Sequence, residues 1–181
     1  MRTLAKWTVE DYHRMIETGI LVDRRLELIA GEIVEMTPEG PLHRYVTDTA
    51  ADYLRSLFFG KAKIFEAHPI TLPDSEPEPD IAIVRLPIER YRTRHPIPED
   101  IYWIIEISDS TLTGDLDQKK KIYAGAGILE YWVVNAKSQL LKVFCDPFSE
   151  DYRTQTEYTQ GIIQSLAFPD ISIAVERILG K

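Results

Sequence analysis

The stretch "IYWIIEIS", Ile101 to Ser108, sets the strongest limit on how this 181-residue chain can fold. A nearly continuous run of aliphatic and aromatic residues is what a central strand covered on both faces looks like. Such a strand needs layers above and below it, so the chain must supply other strands beside it and helices over it. Glu106 is then a charge where none is expected.

The flanking sequence supplies those layers. Thr8 to Thr18 reads as a helix, with Thr8 as cap, Asp11 three residues on and Gly19 at its end. "RLELIAGEIVEM" reads as a hairpin turning at Ala30-Gly31. From Pro41 to Phe59 apolar residues recur at helical spacing, predicting a long amphipathic helix. "KIFEAHPITL" alternates as a strand, and Asp80 leads into a second one, "IAIVR". After the Ile101–Ser108 strand, "DSTLTGDLD" offers turn and capping residues for a helix running to about Ala126, where Gly127 stops it. "EYWVVN" and "LLKVFC" predict a hairpin through "AKSQ". The C-terminal part carries "TEYTQGIIQSLAFPDISI" and a short final helix, Ala174 to Leu179. The class is mixed α/β or α+β. Length and the short predicted connections read as one domain, 1–181.

The longest apolar run is far shorter than the ~20 residues of a membrane-spanning helix. No secretory h-region opens the chain, which makes a cytoplasmic location the expectation. The single Cys145 forms no internal disulfide, and no Cys/His cluster suggests structural zinc. The net charge of −8 opposes nonspecific attraction to nucleic acid. Locally the sign reverses: Arg85 to His95 holds four arginines against one glutamate, a local +3. Solvated surface explains that cluster as readily as a phosphate-binding role for Arg90, Arg92 and Arg94.

Two carboxylates stand at odds with their surroundings. Asp80 begins one apolar strand and Glu106 sits inside another. A buried carboxylate protonates, finds a partner or binds a cation, because leaving it bare costs several kcal/mol on the order of a lost hydrogen bond or more. Each alone is met by a salt bridge; the pair also supplies the hard oxygen ligands of Mg²⁺. Lys119 adds a third element. Leu116, Ile122, Tyr123 and Ala126 share its face of the predicted helix, whereas Lys120 and Lys121 point away. A lysine there either snorkels over apolar neighbours or meets a carboxylate such as Glu106.

Asp80 after Pro79, with Glu106 near the end of an apolar strand, resembles the PD-(D/E)XK nuclease superfamily. The Glu27-to-His43 block, Glu106 with Ser108, and Asp115, Lys119, Tyr123, Gly127 and Glu130–Trp132, in this order, resemble one branch of it. That branch is the Uma-two family, classed among restriction endonucleases. The resemblance implies a restriction-endonuclease-like mixed central sheet flanked by helices, with an N-terminal helix and hairpin. It implies Asp80 and Glu106 as metal ligands, the backbone carbonyl of Ile107 as a third, and Mg²⁺, replaceable by Mn²⁺, as the cofactor. Ser108 stands where the superfamily pattern has its lysine, and Lys119 matches a lysine moved to the following helix. Glu27 matches as an additional acid and His43 as a residue that contacts a phosphate or orients water. Tyr123 and "EYW" read as packing around the site; His13, His68 and His95 carry no signal.

The expected activity is metal-dependent hydrolysis of nucleic acid, DNA in the first instance, with a homodimer the simplest way to cut both strands. Two alternatives stay open. One keeps the fold as a binding or regulatory module without catalysis; the other is a metal-free carboxylate-pair hydrolase of the glycosidase kind, which leaves Lys119 without a role.

Overall fold

The computed structural model describes residues 3–108 and 114–181. Helix α1 (Val9–Glu17) starts at Thr8, whose side chain and that of Asp11 cap each other's backbone N–H groups. Strands β1 (Leu26–Ile29) and β2 (Glu32–Glu35) form the expected hairpin around Ala30-Gly31. Gly31 is required there. Its φ is +75°, and an added Cβ would meet the Cβ of Lys6 at 2.8 Å and the Trp7 carbonyl at 3.1 Å. Helix α2 spans Pro41–Leu57, with proline at its first turn where the missing N–H costs nothing.

A six-stranded sheet follows: β3 (Lys63–Glu66), β4 (Ile81–Val84), β5 (Ile101–Ser108), β6 (Glu130–Asn135), β7 (Leu140–Phe148) and β8 (Asp151–Tyr158), adjacent in that order. Among the described strands only β5 and β6 pair in parallel, and helix α3 (Gly114–Gly125) lies between them in sequence. The turn and caps expected of "DSTLTGDLD" fall at residues 109–113, outside the described residues. A second hairpin, β9 (Ile162–Ser165) and β10 (Phe168–Ala174), leads into α4 (Val175–Ile178).

The period-two alternation of β5 separates two cores. Trp103, Ile105 and Ile107 face α2, α4 and the β9–β10 hairpin, where Trp103 and Trp132 lie fully buried with ring centroids 5.6 Å apart. Ile104 faces the other way, into a cluster with Leu116, Tyr123 and Ala124 of α3 and Tyr131 of β6. Burial of each large apolar side chain in these layers is worth about 1.5–3 kcal/mol. β5 is the doubly covered strand that its sequence demanded.

Two strands differ from expectation. The alternating stretch 63–72 is a strand only as far as Glu66, because Ala67 takes φ +44° and turns the chain away. Ile70 and Leu72 still fill the core beside α3, so their apolarity reflects loop burial rather than strand pairing. Conversely, Asp151–Tyr158 pairs with β7 along its length although its sequence is almost wholly polar. It is an exposed edge strand, where solvent rather than a core sets the residue types. Among the described residues no helix is long and apolar enough to cross a membrane.

Candidate active site

The antiparallel register Ile81↔Ile105 and Ala82↔Ile104 carries on one step to bring Asp80 opposite Glu106. Ala82 and Ile104 belong to the cluster under α3, so alternation puts both carboxylates on the α3 side of the sheet. Asp80 is held by its neighbours. Its carbonyl accepts from the Ala67 N–H at 3.2 Å, and its Oδ2 accepts from the Ile107 N–H at 2.6 Å.

Helix α3 delivers two residues one turn apart onto Glu106. Lys119 Nζ lies 3.1 Å from Glu106 Oε1 and 3.3 Å from Oε2, and the Tyr123 hydroxyl donates to Oε1 at 2.7 Å. Lys119 also lies 3.4 Å from Glu27 Oε1, the β1 carboxylate that accepts from the Glu78 N–H at 2.6 Å. Burial pushes the Glu106 carboxyl up to about 7, against the Lys119 charge and with reinforcement from Asp80. For Lys119, burial would favour the neutral amine, but Glu106, Glu27 and Asp80 outweigh it and hold the pKa above its ordinary value.

The fourth wall is the start of α2. His43 Nε2 lies 3.2 Å from Asp80 Oδ2, and its Nδ1 lies 3.7 Å from Glu39 Oε2. Glu39 is in turn held by Arg44 at 2.8 Å and Arg25 at 3.6 Å. Burial disfavours the imidazolium, yet the hydrogen bond and charge of Asp80, then Glu39, raise the pKa of His43 overall.

These elements enclose a cleft of about 350 Å³. Asp80, Glu106, Lys119, Glu27, His43 and Ile107 all line it, so the geometry gathers into one place residues that are far apart in sequence. Arg90, Arg92 and Arg94 do not line it. Their connection leaves β4 at the end remote from Asp80, and Arg90 and Arg94 converge on Asp100 at 3.4 and 2.5 Å. Three cleft carboxylates escaped the sequence reading: Glu35 at the end of β2, Glu39 in "TPEGP", and Glu78, two residues before Asp80. Acids in Pro-rich turns are ordinary, but Glu39 stands one helical turn before His43, and that spacing was a usable signal. Tyr123, expected only to pack, is also a hydrogen-bond donor to Glu106.

The donor set fits a divalent cation. Among the described residues six carboxylates line the cleft, those of Glu27, Glu35, Glu39, Glu78, Asp80 and Glu106, against the single ammonium of Lys119 and the imidazole of His43. Ligand atoms of Glu39, His43 and Asp80 lie within 4.8 Å of one another. Carboxylate oxygens at this density suit Mg²⁺ or Mn²⁺, and a phosphate would be repelled from the cleft without one.

Comparison with known proteins gives the chain a family and a fold. The model of the Uma2 family, described as "Putative restriction endonuclease", matches residues 9–176. No functionally curated protein matches the chain. Among solved structures, a protein from Anabaena variabilis titled a putative nuclease belonging to DUF820 superposes with a TM-score of 0.69 at 15% identity. The match covers 85% of this chain and 89% of that one, and it establishes a shared fold.

Proposed function

The chain belongs to the Uma2 family, and from that premise we propose that it hydrolyses phosphodiester bonds of nucleic acid, DNA in the first instance, with a divalent cation as cofactor. The observation that carries this reading is the meeting of Asp80 and Glu106 across β4 and β5, with Lys119 against both oxygens of Glu106.

In this proposal Asp80, Glu106 and the backbone carbonyl of Ile107 hold Mg²⁺, for which Mn²⁺ can substitute. The cation supplies Lewis acidity, acidifying water and neutralising charge on the phosphate under attack. With the carboxylates free of a cation, Glu106, Glu27 and Asp80 hold the pKa of Lys119 above its ordinary value. Its part in this proposal is to orient water or phosphate and to stabilise developing negative charge. Glu27 gives the same ammonium a second carboxylate, 3.4 Å away. His43 steadies Asp80 through Nε2 and, when protonated, offers a donor to a phosphate oxygen. Ser108, in the position where the superfamily pattern has lysine, leaves that task to Lys119. Cutting both strands of a duplex would take two copies of the chain related by a two-fold axis.

Incubation with supercoiled plasmid, single-stranded DNA and RNA in Mg²⁺ or Mn²⁺ tests the proposal. Cleavage is expected in the wild type and absent in Asp80→Asn and Glu106→Gln. Undiminished cleavage in either variant would sink the site assignment. Tight metal binding with no turnover on any of these substrates would favour a nuclease fold kept as a binding module.

A further inference from the structure

A second concavity, of about 250 Å³, opens beside edge strand β3 and differs in chemistry from the acidic cleft. No acidic residue lines it among the described residues. Its walls are aromatic and basic: Phe65, His68, Tyr91, Arg92, Arg94 and His95. In a chain of net charge −8 this is a local inversion of sign.

Its construction explains why the arginine-rich connection folds as it does. The connection leaves the far end of β4 and then returns along β3. Tyr91 packs edge-on against Phe65 at 5.5 Å, the Thr71 N–H donates to the Pro96 carbonyl at 2.8 Å, and Asp100 gathers Arg90 and Arg94. Arg94 also lies over the Tyr91 ring, 5.9 Å from its centroid. Two arginines thus share one carboxylate, and Arg92 is exposed with no ion pair among the described residues. His68 lies flat on Phe65, centroids 4.7 Å apart and planes 16° from parallel, and is itself exposed, so its outer face is free.

The groove and the cleft are joined through the backbone: His68 follows Ala67, whose N–H donates to the carbonyl of Asp80 at 3.2 Å.

We infer that this groove holds an unpaired stretch of nucleic-acid strand running out of the cleft, with Arg92 and Arg94 on its phosphates and a base stacked on His68. The inference rests on the nuclease reading and assigns its substrate a path. Phosphate demands cationic charge that is not already neutralised, here Arg92 and the charge by which Arg90 and Arg94 together exceed Asp100, and an unpaired base demands an open aromatic face, here His68. Duplex DNA has no free base for such a platform.

The test is fluorescence anisotropy of a labelled single-stranded 12-nucleotide probe with wild type, His68→Ala, Arg92→Ala and, as a control, Arg153→Ala, an exposed arginine on β8, with Ca²⁺ in place of Mg²⁺ so that the cleft carboxylates keep a divalent counter-charge. His68→Ala is expected to weaken binding about tenfold, the loss of one stacked base. Arg92→Ala should reduce the slope of log affinity against log salt by about 0.7, one phosphate contact on a single strand. Arg153→Ala should match the wild type. Wild-type affinity in both His68→Ala and Arg92→Ala overturns the inference and leaves the nuclease reading intact. A wild type that neither binds the probe nor cleaves it in Mn²⁺ overturns both.

Discussion

Lys119 and Glu106 form a buried ion pair across the α3–sheet interface, with Nζ 3.1 Å from Oε1 and the glutamate side chain 4% exposed. A buried pair of this kind adds little net stability by being present, because desolvation offsets the attraction. Its weight shows when one partner is removed. Lys119→Met leaves Glu106 facing Asp80 and Glu27 without a counter-charge, and should cost about 3 kcal/mol near pH 8. The double variant with Glu106→Gln should recover part of that loss. Urea denaturation of the four proteins in a double-mutant cycle measures the coupling; a coupling near zero would mean that the contact is not an ion pair in solution.

Glu130 gives a pH dependence away from the cleft. Burial pushes its carboxyl up to about 6, although the Leu166 N–H and the Trp132 indole N–H each donate to it at 2.7 Å. With the folded pKa above the ordinary 4.5, the folded state binds more protons than the unfolded state between those values. Stability from this group is therefore greatest below pH 4.5 and declines as pH rises through 6, by about 2 kcal/mol. Glu130→Gln should be less stable, since an amide has one acceptor oxygen for two donors. Its denaturation profile should also lack the decline that the wild type shows between those pH values.

Gly31 ties the hairpin that carries Glu27. Alanine there must hold φ +75° and displace Lys6, and should cost about 1–2 kcal/mol in thermal or urea unfolding. A neutral result would show that the hairpin turn relaxes without loss.

In the proposed metal site His43 acts through Asp80, 3.2 Å from its Nε2, and Glu39, 3.7 Å from its Nδ1. His43→Ala should keep the far-UV circular dichroism of the wild type and weaken Mn²⁺ binding about tenfold, the usual effect of removing a group that orients a ligand. Unchanged affinity would confine His43 to contact with substrate.

Asp80, Glu106 and Lys119 were visible in the sequence as misplaced charges: Asp80 at the mouth of an apolar strand, Glu106 inside one, and Lys119 on the apolar face of a helix. β5 and α3 were legible because both are covered, so burial dictated their residue types. The same logic hid β8, whose exposed edge leaves no apolar signature, and misread 67–72, where loop residues fill a core and alternate like a strand. Glu39 and Glu78 were hidden because acids in Pro-rich turns are usually solvated. For Glu39 the i, i+4 spacing to His43 was the one local signal; Glu78 owes its place to where β4 carries its turn, which a local pattern does not encode. His68 and His95 are the same case: only the return of the arginine-rich connection along β3 brings them beside Arg92.

The measurement closest to the central claim is calorimetric titration of Mn²⁺ into the wild type, Asp80→Asn and Glu106→Gln, because it needs no knowledge of the substrate. The account predicts binding in the wild type that strengthens as pH rises through about 7, where Glu106 loses its proton, and binding lost in both variants. Wild-type affinity retained in both variants, or no heat of binding in any of the three at millimolar metal, would contradict a cation held between Asp80 and Glu106.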